Sequence, residues 1–595
     1  MQFPYGISDF HKLITEGYFY ADRTHYIPLI ERAGPQILFL RPRRFGKSLL
    51  LSMLENYYDL ARADQFAALF GHLAIGRQPT PLHNRFFVLK WDFSAVEAHG
   101  PVEQIRRSLH NHLNAAIEGL AARYRGWLPD RIQIDSADAL YSFQSALTAI
   151  RSTPYRLYLL IDEYDNFANE VVMGGRLAGR AQYADLVRGE GVIRSVFKVV
   201  KAASAGLGLD RVFITGVSPV VLSDVTSGYN VAKSLSLDER FADLCGFRET
   251  EIAQVLRDVA QGCELPAARA DEALTVMRTF YNGYSFSEAP GEPLYNPTLA
   301  LYFLDFFQTH CRFPPQLLDS NLALDRNKLA YIAQLPEGAQ FIFDALSGEP
   351  PIGVQQLADR FGVEEMLSVP QDATFMASLL YFFGILTLRG RTATGHLHLA
   401  IPNLVVRRLY VERLAQLVLP EVEAQNRARR LAEAFYSSGD LQPLCAFIED
   451  RYFRVFDNRD YRWLNELTLK TAFVTLLFDD AFYMMTSEAA LEHSYADLVM
   501  LIRPEMRQYQ LLDFLFEFKV VSPAQAGLRR EQIKQASRDD LLALKPVQQR
   551  LSEARASVQA YRARLQTQVG PGLRLRAFVV VSLGFDRIVW EEDRT

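Results

Sequence analysis

An apolar run, Gln36-Ile37-Leu38-Phe39-Leu40, passes straight into Arg41-Pro42-Arg43-Arg44-Phe45-Gly46-Lys47-Ser48, and a helical pattern from Leu49 to Tyr58 follows at once. This order of strand, basic turn and helix constrains the chain more than any other stretch. The first backbone N–H groups of a helix have no partner within it, so such a turn can cradle an anion. Gly46 lets the main chain approach a phosphate, Lys47 reaches the β and γ oxygens, and Ser48 offers a hydroxyl to Mg²⁺. In the pattern G-x-x-x-x-G-K-[ST] the first glycine is here Arg41, so Gly46-Lys47-Ser48 alone suits a plain capped turn equally well. Arg41, Arg43 and Arg44 add charge that can face a polyphosphate.

Further apolar runs, Arg85 to Leu89, Tyr158 to Ile161 and Val212 to Ile214, alternate with helical stretches up to about residue 240. Continuous apolar strands separated by helices predict a parallel sheet covered on both faces. The run from Leu157 ends in Asp162-Glu163, which would set Asp162 beside Mg²⁺ and Glu163 beside an attacking water. Its plainer reading is a solvated strand end. Thr215, closing another strand, either faces the γ-phosphate or serves as turn chemistry.

From about Leu244 to Leu417 the pattern is mostly helical. Two short strands, Gly384 to Leu388 and His396 to Ala400, flank the turn Gly390 to Gly395, which suits a winged-helix-like unit or a connector that touches only protein. After the charged stretch Glu421 to Arg430 the expected elements are a helix at 464–477 and strands at 482–485, 498–502 and 511–521. A long helix at 531–564 and a last strand at 574–582 complete them. Phe514, Phe516 and Phe518 alternate with Leu515, Glu517 and Lys519, so the two charged residues share a face. A hairpin would bring Asp497 to them. Asp497 and Glu517 would then hold Mg²⁺ while Lys519 orients a hydroxide at a phosphodiester. Glu466 is a further ligand or an exposed helical glutamate, and Glu517 with Lys519 could be only an ion pair across a strand.

Lys and Arg number 64 against 69 Asp and Glu, a net charge of −5 over 595 residues, which excludes a globally basic nucleic-acid coat and makes any polyanion site local. Basic clusters at Arg427 to Arg430 and at Arg529-Arg530 suit solvated faces or phosphate contacts. The cysteines, Cys245, Cys263, Cys311 and Cys445, form no C-x-x-C pair, so neither a disulfide framework nor a thiolate zinc site is expected, and a reducing cytoplasm fits. The start of the chain lacks a signal-peptide pattern, and the longest uncharged run, Ala373 to Leu388, is too short to span a membrane.

Taken together, the chain resembles AAA-ATPase-like proteins that carry a C-terminal PD-(D/E)XK nuclease-like domain. The resemblance rests on Pro4-Tyr5-Gly6-Ile7, Tyr18 to Thr24, Arg41 to Leu49, Trp91 to Ser94, Ile161 to Asp165 and Phe213 to Pro219. It continues through Cys245-Gly246-Phe247, Tyr281 to Tyr284, Ile401-Pro402-Asn403, Asp497 and Glu517-Phe518-Lys519. That family also lacks the first phosphate-loop glycine. It usually has Gly-Arg two residues before the aspartate, where Ser494-Tyr495 stand here. Gln559 and Tyr561 match its glutamine-and-tyrosine helix.

The resemblance implies an α/β multidomain chain. Its parts would be a P-loop parallel-sheet ATPase domain at 1–240, a mostly helical, winged-helix-like domain at 241–420, and an α/β restriction-endonuclease-like domain at 421–595. It implies ATP and Mg²⁺ as cofactors, with Arg43, Arg44, Phe45, Gly46, Lys47, Ser48 and Asp162 binding nucleotide and Ser48 and Asp162 at its metal. Glu163 would act in hydrolysis; Asp497, Glu517 and Lys519 would form a nuclease site, the two carboxylates holding metal. Nucleic acid, in the first place DNA, is the implied partner, with no membrane and with oligomers allowed. The alternative is a nucleotide-driven switch or scaffold whose nuclease-like part only binds.

Overall fold

The structure, a computed structural model, describes residues 1–97, 101–166, 191–219, 231–289, 291–317, 326–348, 351–358, 372–454, 466–486, 489–491 and 494–593. The chain gathers into two compact units: residues 1–270, 281–312 and 353–402 form the first, and 271–280, 313–352 and 403–595 the second. The stretch expected as a separate helical domain, 241–420, is shared between them.

In the first unit, strands β1 (Gln36–Leu40), β2 (Phe86–Asp92), β3 (Arg156–Asp162), β4 (Leu209–Gly216) and β5 (Lys233–Ser234) form one sheet in the order β2-β3-β4-β1-β5. Every pairing in it is parallel. The three inner strands are almost wholly buried, as their unbroken apolar runs require. Because β1 lies beside β4 and β4 beside β3, with Leu40 opposite Gly216 and Ile161 opposite Ile214, the carboxyl ends of these strands come together. Helix α1 (Lys47–Tyr58) leaves the sheet directly after β1, and α2 (Val102–Arg123) and α3 (Ala139–Arg151) pack near β2 and β3.

The expected hairpin is present as β7 (Thr387–Arg391) and β8 (Leu397–Ala400), joined by β6 (Ile352–Val354) in the order β6-β8-β7. It starts later than its apolar run because Gly384, at φ +74, turns the chain beside the phosphate loop. A Cβ there would come within 2.8 Å of Pro42. Helices α4 (Glu249–Gly262) and α5 (Pro297–His310) pack together, and a disulfide joins Cys263 to Cys311, which cap their carboxyl ends with Cα atoms 5.6 Å apart. This corrects the expectation of a chain without disulfides: the pair is made by two helix ends meeting, which cysteine spacing does not reveal.

The second unit holds β9 (Tyr483–Thr486), β12 (Leu498–Ile502), β13 (Asp513–Val521), β14 (Leu575–Leu583) and β15 (Arg587–Asp593), ordered β15-β14-β13-β12-β9. A small antiparallel pair, β10 (Ala489–Leu491) and β11 (Ser494–Ala496), forms a separate sheet. Only β13 and β14 run parallel in the larger sheet. One face stacks Phe514, Phe516, Phe518 and Phe578 against Phe435 and Phe473, which lie on α6 (Val422–Ser438) and α7 (Glu466–Leu477). The other face carries Leu515, Val579 and Val581 against Val547, Leu551, Ala554 and Val558 of α8 (Lys545–Val569). Full burial of each such side chain stabilises the fold by about 1.5 to 3 kcal/mol. The single helix expected at 531–564 is broken: Ala536 is extended at ψ 144, Ser537 caps the next short helix, and Pro546 sits in the first turn of α8. Among the described residues no helix is long and apolar enough to cross a membrane.

Candidate functional site

At the carboxyl edge of the parallel sheet, Arg44 at φ +68 and Gly46 at φ +90 turn the chain from β1 into α1. Gly46 is the residue just before the helix. Arg44, Gly46, Lys47, Ser48 and Glu163 line a cavity of about 280 Å³, which continues between Ile7, Phe19, Phe247 and Leu301. Lys47 is buried at 3% exposure, with Nζ donating to the carbonyls of Arg41 at 3.0 Å and Pro42 at 3.1 Å and standing 3.7 Å from Glu163 Oε1. Burial pushes the Glu163 carboxyl up, against the pull of Lys47 and with the push of Asp165 and Asp162. Glu163 itself sits at φ +50, a left-handed backbone uncommon outside glycine and asparagine.

Asp162 is buried, and its Oδ1 accepts from Thr215 Oγ1 at 2.6 Å and from the Glu163 amide at 3.1 Å. The Thr215 hydroxyl is thus directed at Asp162. Arg43 donates to Asn166 Oδ1 at 3.2 Å, which ties the loop to the segment after β3. The ring of Phe45 is buried edge-on against Tyr284 and Phe286, 4.9 and 5.1 Å between centroids. Only the rest of this residue is left for a ligand. Arg41 departs from its expected place at the polyphosphate: its guanidinium is buried at 1% exposure and directed to main-chain carbonyls. A residue whose part sequence reasoning missed is Asp165, which accepts from the amides of Val217 at 3.0 Å and Ser218 at 2.6 Å and so fixes the end of β4. Its signal was the pair of motifs at 161–165 and 213–219, which the fold brings side by side.

In the second unit, β12 and β13 pair with Leu498 opposite Phe516, so Asp497, one residue before β12, falls beside Glu517 and Phe518. The Phe518 amide donates to Asp497 Oδ2 at 2.7 Å. Lys519 Nζ lies 3.2 Å from Glu517 Oε1, 3.4 Å from Glu466 Oε2 and 3.0 Å from the Phe518 carbonyl. Glu517 is buried at 7% exposure, and its Oε2 has no hydrogen-bond partner among the described residues. Burial, and then the charge of Asp497, push its carboxyl up to about 7, with Lys519 opposing. Burial pulls the Lys519 ammonium down, but Glu517, Glu466 and Asp497 together hold it above its usual value.

Asp497, Glu517, Lys519 and Glu466 are therefore one cluster. Gln559 is exposed on α8, and Tyr561 lies in the apolar core. The helical pattern places both correctly on α8. A residue of α8 within the field of Lys519 is Glu553, an exposed carboxylate bonded by Gln549 and Arg550. Of the basic clusters, Arg530 is bound to buried Asp586, and Arg427 lies over the Phe447 ring.

Both sites suit a hard cation by donor type. Ser48 and Asp162 offer a hydroxyl and a carboxylate, and Glu517, beside Asp497, offers a buried carboxylate oxygen without a partner among the described residues. Among the described residues no three or more His, Cys, Asp or Glu side chains are grouped to hold a metal alone. An ion at either place would need water or substrate oxygens, as Mg²⁺ ordinarily does.

Residues 4–226 match the family model described as "Predicted AAA-ATPase". The N-terminal part of the chain is therefore AAA-ATPase-like, in agreement with its parallel sheet and phosphate loop. Among curated proteins, a relative described as "Uncharacterized protein in vnfD 5'region" of Azotobacter chroococcum mcd 1 is 25% identical over 558 residues, which cover 89% of this chain and 92% of that one. Among solved structures, the Walker-type ATPase paby2304 of Pyrococcus abyssi aligns over 65% of this chain and 95% of its own, at 13% identity and a TM-score of 0.36. The Aeropyrum pernix ORC1 protein in complex with DNA aligns over 66% of this chain and 93% of its own, at 12% identity and a TM-score of 0.23.

Proposed function

We propose that the first unit binds and hydrolyses ATP with Mg²⁺ and thereby controls a Mg²⁺-dependent phosphodiesterase site in the second unit that acts on DNA. The observation that carries the ATP reading is Lys47, buried at the start of α1 within reach of Glu163 and beside a cavity open to Gly46 and Ser48. In this reading the triphosphate becomes a further partner of Lys47, whose three donors let it keep the Arg41 carbonyl, and the amides at the start of α1 face the phosphate oxygens. The nucleoside occupies the apolar part of the cavity between Phe19 and Phe247. Glu163 is the group that orients the attacking water, and Thr215 keeps Asp162 in position. Ser48 and Asp162 would hold Mg²⁺, which neutralises charge on the phosphates when bound.

For the second site the support is the meeting of Asp497, just before β12, with Glu517 and Lys519 of β13, and a carboxylate oxygen on Glu517 without a partner among the described residues. Asp497 and Glu517 would hold a divalent cation, which supplies charge neutralisation at the scissile phosphate. Lys519 orients the nucleophilic water, and Glu466 holds Lys519 from the other side. The second reading, a switch or scaffold whose nuclease-like part binds without cutting, is favoured by one observation: Lys519 already neutralises Glu517 at 3.2 Å.

Purified protein is incubated with plasmid, linear and single-stranded DNA and with Mg²⁺ or Mn²⁺, with and without ATP. Lys47→Ala should lose nucleotide binding by roughly a hundredfold or more, since a charge-assisted contact to phosphate is removed. ATP turnover retained by that variant contradicts the first assignment. Cutting abolished by Asp497→Ala supports the nuclease; absence of cutting in the wild type under every condition supports the scaffold.

A further inference from the structure

Arg41 stands where the usual phosphate-loop pattern has its first glycine, yet its backbone is not among the described non-glycine positions with positive φ. The loop therefore does not need glycine's conformational freedom at this point. What the position holds instead is a long cation inside the protein. The Arg41 guanidinium is 1% exposed, and among the described residues no carboxylate lies in ion-pair range of it. Burying an unpaired charge is costly, so its donors must be satisfied by other means.

Those of the two Nη groups are satisfied by main-chain oxygens, while Nε finds no partner among the described residues. Nη1 donates to Leu40 O at 2.9 Å and Ser236 O at 2.8 Å, and Nη2 donates to Phe241 O at 2.9 Å and Ala242 O at 3.3 Å. The guanidinium carbon lies 4.4 Å from the centroid of Phe39 and 4.2 Å from that of Phe286, which adds cation–π attraction in a site closed to water. Burial nevertheless pushes this arginine down to about 10. A charge kept under that penalty ties the end of β1 to the segment that follows β5 and to the turn at 239–242.

The main chain of the same residue touches the site directly. The Arg41 amide donates to Gly216 O at 3.2 Å, and the Arg41 carbonyl accepts from Lys47 Nζ at 3.0 Å. Phe286, which covers one side of the guanidinium, also packs against Phe45, two residues before Lys47. The loop is thus held from its outer side at two points, with Gly46, Lys47 and Ser48 left facing the cavity.

We infer that Arg41 is a positioning residue of the nucleotide site, whose buried guanidinium fixes the Arg41 carbonyl and through it the ammonium that meets the phosphates. The inference rests on the proposed ATP reading and goes beyond it. Arg41 touches no ligand; it acts through Lys47. Lysine at this position brings three donors from one nitrogen, which cannot reach both pairs of carbonyls and does not stack flat between two rings. Methionine keeps much of the volume and leaves four carbonyls without their donor.

The test uses the full chain as wild type, Arg41→Lys, Arg41→Met and Lys47→Ala, measuring thermal melting, equilibrium binding of ATP and of AMP, and steady-state KM and kcat per folded molecule. A displaced Lys47 weakens contact with the β and γ phosphates and leaves the nucleoside pocket alone. Arg41→Met should lose ATP affinity about tenfold or more while AMP binding stays within about twofold, and Arg41→Lys should recover part of the loss. Equal weakening of ATP and AMP, or a lower melting temperature with unchanged KM and kcat per folded molecule, marks a purely structural staple and overturns the inference. So does wild-type ATP affinity in Arg41→Met. If the wild type and Lys47→Ala bind ATP equally poorly, the ATP reading fails and takes this role with it. If only Lys47→Ala is impaired, the ATP reading stands and the role of Arg41 alone falls.

Discussion

Lys47 and Lys519 are both held near carboxylates, but by opposite means. Lys47 is at 2% side-chain exposure and leans on two main-chain carbonyls of its own loop, with Glu163 further off at 3.7 Å. Lys519 is at 17% and is gripped by side chains, Glu517 and Glu466, that arrive from a strand and a helix. The first lysine is placed by local backbone geometry and a helix start, so its environment is written in about eight consecutive residues. The second is placed by tertiary packing of a sheet against α7, so its environment is spread over residues 466 to 519. Ligand chemistry differs accordingly: a cation presented by carbonyls is ready to take phosphate as a further partner, whereas a cation between carboxylates balances charge until a metal competes for them.

The strongest test of this contrast lies in Glu163, which belongs to the site of the first lysine but is supplied by another strand. If Glu163 orients water and Lys47 binds phosphate, Glu163→Gln should lower ATP turnover by roughly 10²- to 10⁴-fold while ATP still binds. Turnover within threefold of wild type removes Glu163 from the reaction and leaves the Lys47 pocket a binding site only. A milder test exchanges each lysine for arginine. At position 47 the enclosed carbonyl trap has no room for a fork, so ATP affinity should fall by roughly ten- to a hundredfold. At position 519 an arginine can still pair with Glu517 and Glu466, and melting temperature should stay close to wild type. Equal tolerance at both positions, read by nucleotide titration and by thermal melting, would dissolve the distinction.

The same distinction explains what the sequence discloses. Strands β1, β3 and β4 are legible because both faces are buried and the runs are continuously apolar, and the loop after β1 is legible because its chemistry is contiguous. Glu517 with Lys519 is legible through the alternation of β13, and Asp497 joins them because a hairpin must return a neighbouring strand. The inward turn of Arg41 is not legible, since its carbonyl partners lie about 200 positions away and nothing near Arg41 marks them. The rotation of α8 is not legible for a related reason: a helix can be read from periodicity, but the face it turns to a sheet is set by packing of Leu551, Ala554 and Val558. Strand β15 escapes because its second half, Glu591-Glu592-Asp593, is charged, and each of these residues pairs with an arginine from β14 or α8.

The smallest effect is the one that separates the two carboxylate environments by pH. Glu517 titrates near 4.5 when exposed and is pushed up to about 7 in the folded chain by burial and by Asp497. Between those values the folded state holds a proton that the unfolded state has released. Stability therefore falls as pH rises from about 4.5 to about 7, and the loss is complete above that window. Glu517→Gln keeps the neutral form at every pH, so in chelator-treated protein it should flatten this fall and leave the variant more stable at pH 8 by on the order of 1 to 2 kcal/mol. At pH 4 the two proteins should melt together. Added Mg²⁺ should stabilise the wild type at pH 8 by restoring a partner to the buried carboxylate, and should do little for the variant. Denaturant melts at the two pH values, with and without Mg²⁺, measure all of this. A variant less stable than wild type at pH 8 without metal would mean that the pair with Lys519 outweighs burial, and the second site would then be a structural ion pair in the sense that Lys47 is not.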